Sequence, residues 1–205
     1  MSDIVIGQVG AAGVGDGSSR SFRGGRYGAL AMMDCHGRYF DCVDRGNVFC
    51  CAMQASAALG TGLTATAVTF TLYNPAGSGK NLVILQTSLA AITVSTAGMV
   101  VYAVNDVPGQ AAPATTTALT IRNAKLGAGG ASVARVFSVA TLPAAPVSVR
   151  ILAGIVGAAT PLMVASIIDD VAGAIILTEN TAVTIQGITS NINGAAGMFW
   201  EECSP

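Results

Sequence analysis

Charge is the scarcest property of this chain. Of its 205 residues, 10% are Asp, Glu, Lys or Arg, against about 25% in ordinary soluble proteins. Lysine occurs only at Lys80 and Lys125, histidine only at His36 and tryptophan only at Trp200. The stretches 51–79 and 81–105 carry no charge at all, and the net charge is −1. Apolar residues make up 52% of the chain. So few charges cannot coat the surface of a monomer, and a large uncharged surface is one that partners or lipid cover.

Other absences narrow the choice. The first residues, Met1-Ser2-Asp3-Ile4, lack the basic and apolar regions of a secretory signal. The longest charge-free apolar piece in the second half, 151–168, approaches the length of a spanning helix. However, Gly-Ala-Ala-Thr-Pro turn chemistry splits it at 157–161, so it reads as two buried strands joined by a turn, with no membrane partner. No fixed-period repeat is present. The five cysteines, at 35, 42, 50, 51 and 203, are odd in number and show no CxxC spacing. With no secretory signal they are expected to be free thiols in a reducing compartment, acting as small apolar side chains. Adjacent Cys35-His36, with no second cluster, does not form a zinc pattern. No metal or other cofactor is expected.

What remains is β-rich. Residues 1–26 form a Gly/Arg-rich arm with Arg20, Phe22, Arg23 and Arg26, too poor in apolar area to fold alone. Asp3 and Asp16 dilute its basic character, so no specific nucleic-acid binding is expected. Residues 27–53 alternate apolar runs with turns at 34–37 and 44–47, which predicts short β-hairpins. Region 27–60 reads as an extension that contacts neighbours, although the Ala-rich 52–60 also fits a short helix. From 61 to 205, strand-like runs recur at 67–72, 82–94, 99–104, 119–121, 132–139, 147–156, 162–168, 174–177, 182–188 and 197–200. Turn residues punctuate them throughout, which predicts an all-β, jelly-roll-like β-sandwich. The alternation in Thr181–Gln186 predicts a half-buried strand.

Three stretches invite chemistry. Asn74-Pro75-Ala76-Gly77-Ser78-Gly79-Lys80-Asn81 looks like a phosphate loop. The first glycine of that motif is Asn74 here, the hydroxyl after lysine is Asn81, and a strand-like run follows in place of a helix. The stretch therefore predicts a turn between the two strands of the 66–94 pair. His36 with Asp34, Asp41 and Asp44 lacks a nucleophile in context, so no catalytic residue is assigned. Asp169-Asp170 with Glu179 reads as an acidic turn, because the alternating oxygen ligands of a calcium loop are missing. Phe199-Trp200 are expected to close the core or a subunit interface.

Four stretches taken together, 74–83, His36-Gly37-Arg38-Tyr39, Arg45-Gly46-Asn47-Val48-Phe49 and Phe199-Trp200-Glu201-Glu202, resemble a family of small tailed-bacteriophage virion proteins. The resemblance implies a non-enzymatic virion component, assembled in the host cytoplasm. The expected role is a capsid cement or decoration protein that binds the major capsid protein and itself, as a homotrimer. The expected partner contacts are Arg20, Phe22, Arg23, Arg26, Tyr27, Arg38, Tyr39 and Trp200. The alternative is a head-fibre or tail-associated protein that binds a receptor glycan, with Trp200 or Tyr73 as its stacking surface.

Overall fold

Strand-forming sequence accounts for nearly every element of the chain. The computed structural model describes residues 6–9, 18–21, 37–94, 97–127, 130–155, 165–188 and 192–205. Two short strands of the arm, β1 (Ile6–Val9) and β2 (Ser18–Ser21), pair with each other. Then follow helix α1 (Phe40–Asp44) and strands β3 (Val48–Ala52), β4 (Ala57–Ala58), β5 (Thr71–Asn74) and β6 (Asn81–Val94). Next come β7 (Gly98–Asn105), β8 (Ala114–Ala118), β9 (Arg122–Asn123) and β10 (Arg135–Thr141). The chain continues through β11 (Val147–Ile155), β12 (Ala165–Asp170), β13 (Ile176–Leu177), β14 (Thr181–Gly187) and β15 (Ile192–Cys203).

Strands β3 to β15 form two antiparallel sheets packed face to face, a β-sandwich. One is ordered β11-β7-β14-β5-β10-β8; the other is ordered β12-β6-β15-β3-β9, with β13 on β6 and β4 on β15. The facing sides interdigitate around Trp200, Tyr102, Phe70, Leu72, Leu82, Ile84, Leu89, Ile185 and Met198, all fully buried. The longest pairing joins β6 to β15 over twelve positions, from Ile192↔Val94 to Cys203↔Asn81. Glycine is required within it: a Cβ at Gly194 would fall 2.6 Å from the Ala90 carbonyl oxygen.

A second core lies on the outer side of the first sheet. There Val68, Tyr73, Phe137, Ala140, Leu142 and Ala182 are buried together. Residues 59–69 cover this side: Val68 and Ala140 exchange backbone hydrogen bonds, and the Leu142 N–H reaches the Ala65 carbonyl at 2.7 Å. That cover explains a departure from expectation. β14 is buried on both faces, not one, from Ala182 to Gly187. Its outward polar groups are met by the covering segment, since Gln186 donates to the Thr64 carbonyl at 3.1 Å and accepts from the Thr64 N–H at 3.0 Å.

Five other expectations are corrected. Residues 40–44 form a single turn of helix instead of a strand, closed by Val43 N–H to Tyr39 carbonyl and ended at Gly46, whose φ is +78°. Region 27–60 is not merely an extension, because β3 pairs with the middle of β15 and the sandwich therefore begins at Val48. Residues 52–60 hold β4 and no helix. The 119–121 run only links β8 to β9. Finally, β5 and β6 are not a pair: they belong to opposite sheets, and 75–80 crosses between them.

Candidate interaction surface

Asp169 and Asp170 end β12 and are not the acidic turn that the sequence suggests. Successive strand residues point to opposite faces, and each carboxylate finds its own arginine and tyrosine. Asp169 faces the interior, where Arg150 of β11 binds it at 2.8 Å and the Tyr102 hydroxyl of β7 donates to it at 2.9 Å. Because β7 and β11 lie in the other sheet, Asp169 ties the two layers together at their shared side. Burial pushes the Tyr102 phenol far above its ordinary value, and the hydrogen bond to Asp169 acts in the same direction. Asp170 faces outward. Arg38 binds it at 2.5 Å and the Tyr39 hydroxyl donates to it, so the segment entering α1 is pinned to β12. Burial and then this hydrogen bond raise the Tyr39 phenol.

The edge strands that carry these neutralised pairs also expose large apolar side chains. Val147, Val149 and Ile151 on β11 are 64%, 51% and 64% exposed, and Ile168 on β12 is 67% exposed. Among the described residues, β11 and β12 are the edge strands of their sheets, each with one unpaired flank. An exposed apolar edge of this kind is a template for association.

Several other chemical groups are engaged within the chain. The phosphate-loop lookalike does hold an anion, but it is Glu179: the N–H groups of Gly79 and Gly77 donate to its carboxylate at 2.6 Å and 3.1 Å. Both glycines have positive φ, which lets neighbouring N–H groups converge on one carboxylate. Asn74 braces the same crossing by donating to the Lys80 and Leu177 carbonyls. Buried Glu202 accepts from Ser132 Oγ at 2.5 Å, from Val133 N–H at 3.1 Å and from Trp200 Nε1 at 3.4 Å. Lys125 binds Asp44 at 2.8 Å beside an open cavity of about 470 Å³ lined by Ile121, Arg122, Asn123, Leu126 and Gly130. Cys42, Cys50, Cys51 and Cys203 are free thiols. Burial raises Cys50, and it pushes Cys51 up to about 11, so neither is a ready thiolate nucleophile. Among the described residues, no group of three or more His, Cys, Asp or Glu could hold a metal ion, and no helix is long and apolar enough to cross a membrane.

The expected contact residues divide four ways. Arg38 and Tyr39 come together on Asp170 at the apolar side. Trp200 is fully buried, stacked on Phe49 with ring centroids 6.4 Å apart, so it is a core residue and not a surface contact. Tyr73 is also buried, donating to Asn180 at 2.8 Å, and neither aromatic presents a face to a sugar. Arg20 falls in β2. Phe22, Arg23, Arg26 and Tyr27, like His36, lie outside the described residues. Sequence reasoning missed Arg150 and Tyr102 altogether. The available signal was Arg150 itself, a lone charge inside the otherwise apolar run 147–156. Compared with known proteins, the chain matches no protein-family model, no curated protein and no solved structure.

Proposed function

We propose that this is a non-enzymatic structural protein of a bacteriophage virion, most specifically a capsid decoration protein that binds the major capsid protein and reinforces the head. In this reading the sandwich is of the jelly-roll type used in viral shells. One observation carries the proposal: Val147, Val149, Ile151 and Ile168 are exposed on two edge strands whose charges are already paired. Such a surface gains by being covered by neighbouring subunits of a shell, at roughly 25 cal/mol per Å² of apolar area, and repetition over the shell multiplies a modest contact. The resemblance of the 74–83, 36–39, 45–49 and 199–202 stretches to small virion proteins points the same way.

Quantitative mass spectrometry of purified virions separated into heads and tails tests this. The expected result is a copy number in the head fraction that scales with the major capsid protein. Absence from virions overturns the proposal, and enrichment with tails moves the protein to the tail-associated alternative.

A further inference from the structure

We infer that the β11–β12 side of the sandwich docks against the same side of a second copy of this chain, in a two-fold contact. The inference goes beyond the decoration reading by giving the self-association expected from the resemblance a surface, and it replaces the three-fold arrangement that the resemblance implies.

The two free sides of the sandwich differ. One ends in β8, whose Ala-Thr-Thr-Thr-Ala carries no large apolar side chain, and in the two-residue β9. The other ends in β11 and β12, which present Val147, Val149, Ile151 and Ile168, each more than half exposed. An exposed Ala/Thr edge is at ease in water. An edge of valines and isoleucines is the kind that other proteins blunt with lysine or proline, and β11 and β12 contain neither.

Charge indicates which partner fits. The charged residues of these strands are Arg150, Asp169 and Asp170, and each is paired within the chain: Arg150 with Asp169, and Asp170 with Arg38. A strongly charged partner would find no free opposite charge to meet. A second copy brings an equally neutral, equally apolar face, and a self-complementary patch closes as an isologous dimer. The area suffices as well. Nine residues of β11 and two layers of sheet make a side of roughly 30 Å by 20 Å. That is roughly 600 Å², close to the about 800 Å² per partner of a stable interface. The register of β11 on β7 shifts twice, between Ser148 and Arg150 and between Ile151 and Ala153. Bulges of this kind twist an edge and interrupt its ladder. The contact is therefore made by packed side chains and not by continuous strand addition.

The test is sedimentation equilibrium of the full chain beside Val149→Lys, Ile151→Lys and, as a control on the opposite side, Thr116→Lys. All three positions are exposed, so the core is untouched and circular dichroism checks the fold. A dimeric parent and Thr116→Lys are expected, with both β11 variants weakened roughly a hundredfold or more, since like charges brought together across an interface are costly. A monomeric or trimeric parent, or β11 variants that associate as the parent does, overturns the inference. Hydrogen exchange on the unsubstituted chain gives a second reading free of any variant. Protection of amides 147–151 should rise with protein concentration, and concentration-independent exchange overturns the inference. Virion mass spectrometry separates the two proposals: a monomeric Val149→Lys protein still recovered with heads supports this surface and leaves the decoration reading standing. A dimer that is absent from virions overturns only the decoration reading.

Discussion

Asp169 and Asp170 are neighbours in β12, yet they hold different parts of the molecule. Asp169 reaches across the sandwich to Arg150 and Tyr102 in the opposite sheet, and Asp170 holds Arg38 and Tyr39 outside it. The side chain of Asp169 is 19% exposed and that of Asp170 is 49% exposed. The same chemical pairing therefore has unequal weight. Asp169→Asn leaves Arg150 without its anion at the layer junction and should cost about 1–3 kcal/mol in urea denaturation. Asp170→Asn breaks a solvent-screened pair and should cost at most about 1 kcal/mol. Equal effects would mean that Asp169 does not join the layers.

Trp200 gives the largest expected loss. It fills the space between the sheets, stacks on Phe49 and donates to Glu202. Trp200→Ala should destabilise by about 3–5 kcal/mol. Trp200→Phe should recover most of that in thermal denaturation, because the indole hydrogen bond is long at 3.4 Å and the ring area is mostly kept.

Alkaline pH should loosen the fold through Cys51. Its ordinary value is 9.0, and burial raises it to about 11 in the folded chain. A folded value above the unfolded one means that the neutral thiol's contribution is complete below about pH 9 and fades as pH climbs through about 11. The whole effect is roughly 2–3 kcal/mol, from about 1.4 kcal/mol per unit. Cys51→Ala should flatten most of that decline in denaturation midpoints measured across the window. Cys50 and Cys42 are raised in the same direction, so a residual slope should remain.

Glu179 should govern the 75–80 crossing. Glu179→Ala removes the acceptor of the Gly77 and Gly79 amides. Because the carboxylate is exposed, the cost should be only about 1 kcal/mol. Hydrogen exchange at Gly77 and Gly79 should accelerate while β5 and β6 stay protected. Unchanged exchange would mean that the loop holds its shape without the carboxylate.

Gly194 offers a sharper steric check. Its missing Cβ leaves room for the Ala90 carbonyl, so Gly194→Ala should strain the β6–β15 pairing. The expected cost is about 1–3 kcal/mol, as for an overpacked site, and it should exceed that of Gly154→Ala, where a Cβ would meet nothing within 4 Å.

The layers themselves were legible before any coordinates. Period-two apolar runs, Gly and Pro punctuation and missing charge gave an all-β sandwich, and β3, β6, β7, β11 and β14 fall close to their expected ranges. What stayed hidden was which sheet each strand joins. Asn74-Pro75 and Gly77-Ser78-Gly79 announce a reversal of the chain, but a hairpin and a crossing use the same backbone chemistry. The choice is made by Glu179 and Leu177, a hundred positions away. Trp200 was ambiguous because core and interface reward the same side chain. Arg38 and Tyr39 are expected contacts through the resemblance alone, and the partner that explains them, Asp170, reads in the sequence as turn chemistry.

The position of β15 has a kinetic consequence. It is the last strand of the sandwich and lies at the middle of its sheet, between β6 and β3. Those two strands leave the ribosome far earlier and have no ladder in common until β15 arrives. Nascent chains should therefore hold one sheet open and exposed until residues 192–203 are made, and loop closure over so long a span makes that step slow. Assembly into any larger particle must wait for that step. The strand that completes the monomer also times its availability to partners.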